Sequence, residues 1–322
     1  METLFISREA HLKRRDNTLF ITLDGRSKSF PIEKIRHLVL LSESSMNSNL
    51  LCLCGTHGVR ISIFDYYGYF KGSFEPIDHN PSGRVKMAQA RSILDDGDQI
   101  LIAREVVRGA AHNKRANLLY YRYRGVEQMG EAIIQMERLM NRISKAGDRS
   151  ELMGIEGNLH QIYYSAWKWI DPALDFGRRV RRPPNNPTNC LISFLNQMTY
   201  TVARHEIFKT HLDDSMSWLH TSSNGRSSLS LDLAEPFKPI FTDNLIFRMI
   251  RKGMIKENWF DLHDGVCLLT EAGRLHVAEQ FSARMEEINN GRSYREWVYK
   301  EALNLERHVM GLEEYESFKR RI

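Results

Sequence analysis

The chain has 322 residues, with 45 Lys and Arg against 40 Asp and Glu, for a formal net charge of +5. Its length predicts two domains at roughly 100–200 residues each, and 42% hydrophobic with 26% charged residues excludes wholesale disorder. Four scattered cysteines without a C-x-x-C pair argue against a disulfide framework or a structural zinc site and fit a reducing cytoplasm.

Charges run through Met1 to Arg15, so this stretch has no apolar core of a secretory signal. No uncharged apolar run nears the ~18 residues that a membrane span needs. The first 75 residues read as β-rich. Leu4 to Ile6, Thr18 to Leu23 and His37 to Leu41 are short strand-like runs, and Asp24-Gly25 after the second is a hairpin signal. Asn47 to Gly55 reads as a short helix, with Cys52 and Cys54 as small buried residues. Val59 to Phe64 alternates, placing Val59, Ile61 and Ile63 on one face. Tyr66-Tyr67-Gly68 then turns the chain into Tyr69 to Phe74.

Pro76, Pro81, Ser82 and Gly83 mark a linker. Beyond it the period becomes helical. Lys86 to Tyr123 places Ala103, Val107, Ala110 and Ala111 on one side, and Ser150 to Trp169, Asn189 to His211, Glu271 to Asn289 and Trp297 to Met310 continue the pattern. Thr270 reads as an N-cap, opening a plain helix or one that belongs to a winged-helix reader. Glu313 to Arg321 reads as a frayed tail. The expected class is α+β multidomain: a β domain over 1–75, a linker over 76–85 and an all-α domain over 86–322.

Three helical segments carry polar residues that packing alone does not ask for. In Met153 to Asn158, Glu156 stands between Gly154 and Gly157. Gly costs about 1 kcal/mol inside a helix, so the pair suggests close approach of another helix or of a ligand. Ser217 to His220 ends an apolar turn in an imidazole. In Leu229 to Pro239, Asp232 and Glu235 share a helix face among apolar neighbours, where acids are costly to bury without compensation. Two carboxylates and an imidazole make a candidate site for Mg2+ or Mn2+, ions that serve phosphoryl chemistry. Two basic runs suggest the substrate. Arg104 to Arg124 interleaves six cations with three tyrosines, and Phe176 to Pro184 reads FGRRVRRPP; such clusters suit a phosphate backbone, although each is also compatible with a solvated face. Asn189, Ser193 and Asn196 recur at helical spacing, either orienting ligands or making polar helix contacts.

MGIEGN (153–158), RRPPNNPTNCLISFLN (181–196), SWLH (217–220) and SLDLAEPFKP (230–239) resemble the signature blocks of the CRISPR-associated protein one family, the integrases of CRISPR adaptation. IFDYYGYFKGSFEP (63–76), SGRVKMAQA (82–90) and IAREVVRGAAHNKRANL (102–118) resemble its domain-joining region. The resemblance implies Glu156, His220 and Glu235 as ligands of Mg2+ or Mn2+, Asp232 as a supporting acid and Lys238 as a basic residue that meets DNA phosphate. Many members carry Asp where this chain has Glu235. It implies an N-terminal β domain used for a two-fold homodimer, a helical catalytic domain, and a small ferredoxin-like partner flanked by two such dimers. The implied reaction is attack of the 3′-hydroxyl of a captured DNA fragment on a phosphodiester of the repeat array, in a prokaryotic cytoplasm and in defence against foreign DNA. Arg84, Arg178, Arg179, Arg181 and Arg182 are the further expected DNA contacts. A non-catalytic DNA-binding scaffold, or a related nuclease acting on branched DNA, are the alternatives.

Overall fold

The computed structural model describes residues 2–65, 67–77, 82–222 and 227–321, with the side chain of Glu2 excepted. Tyr66, Pro81 and most of the polar loop after His220, all singled out in the sequence, lie outside the described residues. The strands are β1 (Glu2–Ile6), β2 (Ala10–Arg15), β3 (Thr18–Leu23), β4 (Arg26–Pro31), β5 (Ile35–Leu40), β6 (Ser44–Met46), β7 (Arg60–Phe64) and β8 (Phe70–Phe74), with helix α1 (Ser48–Thr56) between the sixth and seventh. They form two four-stranded sheets ordered β1-β5-β7-β8 and β4-β3-β2-β6. Asp24 and Gly25 both take positive φ, 50° and 74°, the pairing that a two-residue hairpin between right-twisted strands requires. Asn47 caps α1 by accepting the Leu50 N–H.

The two sheets enclose an apolar layer that includes Leu12, Leu19, Ile21, Leu38, Leu40, Leu50 and Ile61. The outer face of the first sheet is also covered. Val39, Leu41 and Phe64 join the core of the helical region, so both faces of β5 are covered and its Leu38–Leu40 end reads, with Leu41 beyond it, as a continuous apolar run, while β7 turns Arg60, Ser62 and Phe64 to the helices. This corrects the expected one-sided alternation of β7. Val59 and Ile61 are buried, but Ile63 is 42% exposed, and the opposite face holds buried Arg60, Ser62 and Phe64. Cys54 is buried as expected, whereas Cys52 is exposed.

The helices that follow are α2 (Gly83–Leu94), α3 (Asp96–Arg122), α4 (Met129–Ile143), α5 (Arg149–Ser165), α6 (Pro187–Ile207), α7 (Ser228–Ala234), α8 (Asn244–Arg251), α9 (Glu271–Glu286) and α10 (Tyr294–Val309). The single helix expected over 86–123 is two, because Asp95 ends α2 in extended conformation and caps α3 through the Asp98 N–H at 2.9 Å. Two hairpins interrupt the helical region, β9 (Phe260–His263) with β10 (Val266–Leu269), and β11 (Ile288–Asn289) with β12 (Arg292–Ser293). Their turns, Asp264-Gly265 and Asn290-Gly291, repeat the positive-φ pair of Asp24-Gly25. Among the described residues no helix is long and apolar enough to cross a membrane.

A polar cluster joins the first sheet to α6. Arg60 of β7 donates to the Arg204 carbonyl at 2.9 Å and pairs with Glu75, while Arg204 pairs with Glu75 at 3.1 Å and with Asp214 at 3.1 Å. Beside it the His37 and His205 rings stack, with centroids 4.8 Å apart, and His37 Nε2 lies 2.8 Å from Ser62 Oγ. Burial first, then the positive charges of Arg60, Arg295 and Lys209, hold both imidazoles well below the usual histidine range; the facing acid on α6 is buried Glu206. An imidazole kept neutral in the fold but free to protonate when unfolded contributes stability above its unfolded pKa and loses it as pH falls below that value. The loss is about 1.4 kcal/mol per imidazole per pH unit. Thermal denaturation should therefore show the melting temperature dropping between pH 7 and pH 5.5, and the drop should shrink in His205→Asn. An identical slope in wild type and variant would remove the pair as its source.

Candidate functional site

Asp232 organises the site. This carboxylate, 1% exposed, accepts backbone N–H groups of Trp218 at 2.8 Å, Leu219 at 2.9 Å and His220 at 3.0 Å, and lies 2.7 Å from His220 Nδ1. Four N–H groups on one carboxylate satisfy a buried charge. They also fix the tautomer of His220: with Nδ1–H given to Asp232, Nε2 carries the lone pair. Nε2 stands 4.0 Å from Glu235 Oε1. Burial pulls the His220 pKa down, but the bond and charge of Asp232 and the charge of Glu235 outweigh it and raise it above the usual value. Asp232 thus holds the 218–220 turn in place.

Glu235 follows α7, at the start of a turn containing Pro236 and Pro239, and Glu156 comes from the middle of α5. His160, one helical turn after Glu156, joins them: its Nε2 is 2.5 Å from Glu156 Oε1 and 3.8 Å from Glu235 Oε2. One donor atom each from Glu156, His160 and Glu235 fall within 4.8 Å of one another. His160 was missed in the sequence, although its i,i+4 spacing from Glu156 was legible. Burial raises both carboxyls, yet hydrogen bonding and nearby charge overturn it. His160 leaves Glu156 below the usual carboxylate range, and Lys238, His160 and Lys114 hold Glu235 well below it.

Lys238 is buried and ion-paired with Glu235, so it meets the acid inside the cleft and is not an open surface cation. Lys114 of α3 is 2% exposed with Nζ 3.0 Å from His160 Nε2. The donor set, two carboxylates with two imidazoles, suits a divalent ion of oxygen and nitrogen preference. Glu235 Oε2, at 3.8 Å from His160, has no hydrogen-bond partner; such an orphaned buried oxygen fits a cation.

These groups line a cleft of about 1720 Å³ that also holds Arg149, Arg178, Arg179, Arg181, Arg182, Arg204, Tyr69 and Tyr200. Gly154 and Gly157 are exposed, leave open space where a Cβ would stand and do not line the cleft, so the close approach to the α5 backbone expected from the sequence is not made by any part of the described fold. Arg179 donates to Asn189 Oδ1 at 3.1 Å, to Ser193 Oγ at 2.9 Å and to the Val180 carbonyl, so it fastens the 178–182 loop to α6. Asn189 also donates to the Arg178 carbonyl and Asn185. Asn189 and Ser193 therefore hold this loop and make no hydrogen bond to the acid–imidazole cluster, in line with the second of the two roles the sequence left open, polar contacts of the helix. Asn196 Oδ1 accepts from Thr242 Oγ1 at 3.2 Å. Arg84 is exposed in the first turn of α2 and outside the cleft lining. The 104–124 basic run is mostly spent internally: Arg104 on the Ala146 carbonyl, Arg108 on Glu105, Arg115 on Glu137 and Arg124 over Tyr120.

A family model described as CRISPR associated protein Cas1 matches residues 4–283. The chain is 35% identical to a protein named CRISPR-associated endonuclease Cas1 2 from Thermodesulfovibrio yellowstonii, covering 98% of each. It is also 35% identical to CRISPR-associated endonuclease Cas1 from Fusobacterium nucleatum, covering 98% of this chain and 96% of that one. A solved Cas1 protein from Thermotoga maritima superposes with a TM-score of 0.88 at 29% identity, covering 99% of this chain and all of that one. A casposase bound to integration product shares the fold at a TM-score of 0.86 and 18% identity. Continuous similarity of this extent, in sequence and in fold, leads to one assignment: the chain belongs to the Cas1 family.

Proposed function

We propose that this protein is a metal-dependent DNA endonuclease and integrase of CRISPR adaptation. The observation that carries the reading is the meeting of Glu156, Glu235, His160 and His220 in one arginine-lined cleft. Glu156, Glu235 and Nε2 of His220 would hold Mg2+ or Mn2+, with Asp232 behind His220 and His160 holding Glu156. A divalent ion there supplies positive charge to the phosphodiester oxygens. Arg178, Arg181 and Arg182 hold the phosphate backbone, and Lys238 adds a fixed cation where charge develops. A 3′-oxygen forms the new bond to phosphorus and its proton goes to solvent, while the repeat strand's own P–O bond breaks and its departing 3′-oxygen takes a proton from solvent to become a free hydroxyl. With water as nucleophile the same centre hydrolyses DNA. His220 is not assigned as general base, because a ligating nitrogen cannot also take a proton.

The relatives' names support this reading: endonuclease for the curated proteins, an integration product for the casposase and a Cas2 partner for another solved neighbour of the same fold. We infer a two-fold homodimer formed through the β domain (residues 1–75), joined over 76–85 to the catalytic helical domain (86–322), working with a small ferredoxin-like partner in defence against foreign DNA.

A strand-transfer assay with the partner, repeat DNA and Mg2+ or Mn2+ tests this. Glu156→Gln and Glu235→Gln should each lower the rate by about a hundredfold to a thousandfold with the thermal transition retained. Activity near wild type in both would overturn the metal centre, and DNA binding without turnover in wild type would instate the scaffold.

The imidazoles separate in a second measurement. His220→Ala should lose Mn2+ binding by paramagnetic resonance, whereas His160→Gln, which keeps a donor toward Glu156, should retain most of it. The reverse order would make His160 the ligand. For DNA, Arg181→Ala and Arg182→Ala should each flatten log K against log salt by about 0.9; an unchanged slope would take that arginine off the phosphate path.

A further inference from the structure

Within residues 313–321, expected as a frayed tail, a stretch around Tyr315–Phe318 packs into the fold, while the charged residues other than half-buried Arg320 stay exposed. Tyr315, Ser317 and Phe318 are buried. Glu301 of α10 accepts the Tyr315 hydroxyl and the Phe318 N–H, each at 2.8 Å. The Phe318 ring stacks on Phe237, with centroids 4.9 Å apart and planes 18° from parallel. Phe237 lies between Pro236 and Lys238, on the turn that carries Glu235. At Gly109 of α3 a Cβ would stand 2.2 Å from Ser317 Oγ and 3.2 Å from the Phe318 carbonyl oxygen, so only glycine lets the segment seat there.

The same segment is bonded to that turn through a single side chain. Asn113 of α3 is fully buried. Its Nδ2 donates to the Phe318 carbonyl at 3.1 Å and to the Pro236 carbonyl at 2.7 Å, and its Oδ1 accepts the Arg320 N–H at 2.9 Å. One helical turn on, Asn117 donates to the Pro239 carbonyl at 2.9 Å. Pro236 and Pro239 lack the N–H groups of a regular helix, so beside the backbone bonds that remain, such as Phe237 N–H to the Ala234 carbonyl at 3.0 Å, these amides and the Phe237–Phe318 stack add to the alignment of the 235–239 turn.

We propose that the C-terminal segment Tyr315–Arg320 is a positioning strap for Glu235: docked through Asn113 and Phe237, it sets where the Glu235 carboxylate stands and hence how well the cleft holds a divalent cation. The strap acts through the turn and touches neither substrate nor cation. The inference rests on the cation reading of the cleft.

The test uses the full chain without DNA. Gly109→Ala lies outside the cleft lining and displaces Ser317; Tyr315→Phe removes only the hydroxyl bonded to Glu301 and serves if the first variant folds poorly. Two quantities are read: Mn2+ affinity by paramagnetic resonance, and the rate of trypsin cleavage after Lys319 and Arg320 by intact mass. Displacing the strap should speed cleavage and weaken Mn2+ binding by about tenfold. Because coupling is reciprocal, Mn2+ should slow cleavage of the wild-type segment and fail to do so in Glu235→Gln. Faster cleavage with unchanged Mn2+ affinity would overturn the strap while leaving the cation site intact, as would unchanged cleavage in both variants. A wild type that binds no Mn2+ would overturn the cation reading and the strap with it.

Discussion

Burying a carboxylate is costly unless every lone pair finds a donor, and the cleft depends on how Asp232 meets that demand. Its two oxygens take the N–H groups of Trp218, Leu219 and His220 together with the His220 ring. That bonding pins a turn whose far side is Trp218, fully buried against the helical core, with its indole N–H on Ser92 at 2.9 Å. Neither the turn nor the acid can shift alone. Glu235, three residues after Asp232, is then presented to the same imidazole from below. The helix face that puts the two acids together also sorts them: the first is saturated by N–H groups and becomes a support, while the second keeps an oxygen without a hydrogen bond and is available for chemistry.

Fixed cations complete the arrangement. Lys114 and Lys238 are both buried beside Glu156 and Glu235, so the acids remain ionised at neutral pH despite their burial. Nearby Asp243 shows the opposite result: burial lifts its pKa to about 7 in spite of the same lysines. The difference is one of contact. Lys238 pairs directly with Glu235 and His160 bonds Glu156, whereas Asp243 is helped first by its hydrogen bond with Tyr163 and pairs with neither lysine.

Local chemistry was the legible part of the sequence. Asp24-Gly25, Asn47 and Thr270 act as their residue types require, and the apolar period of α3, α5, α6, α9 and α10 follows their buried faces. Asp264-Gly265 and Asn290-Gly291 carried the same turn signal as Asp24-Gly25 and were passed over because short flanking strands lay inside a helical stretch. Helix α4 was missed although Met129, Ile133, Met136 and Ile143 recur at helical spacing and are buried. In the site, Glu156, His220 and Glu235 were legible as unusual polar residues. Their grouping rests on residue chemistry and on the family resemblance and not on spacing, because it joins α5, the 218–220 turn and the residue after α7, segments that no local pattern relates. His160 escaped for the opposite reason, since an imidazole on an amphipathic helix looks like many others until its neighbour is known. The tail was misread because its charges dominate: Tyr315, Ser317 and Phe318 alternate with charged residues, a half-buried pattern too short to stand out.

The cleft is shared between the sheets and the helices, and this bears on how rigid it is. Tyr69 and Phe70, at the β7–β8 connection, stand in its wall beside the 178–182 loop. Arg182 lies over the Tyr69 ring at 5.9 Å and Arg204 over the Phe70 ring at 5.2 Å. Gly68 brings the hairpin backbone against Phe194, where a Cβ would be 3.0 Å from the ring. Behind them the Arg60–Glu75–Arg204–Asp214 chain and the His37–His205 stack tie the sheet to α6. Rotating the sheet away from the helices would break these contacts together and would remove one wall from the cleft. The shape of the basic cleft therefore depends on the seating of the β region against α6.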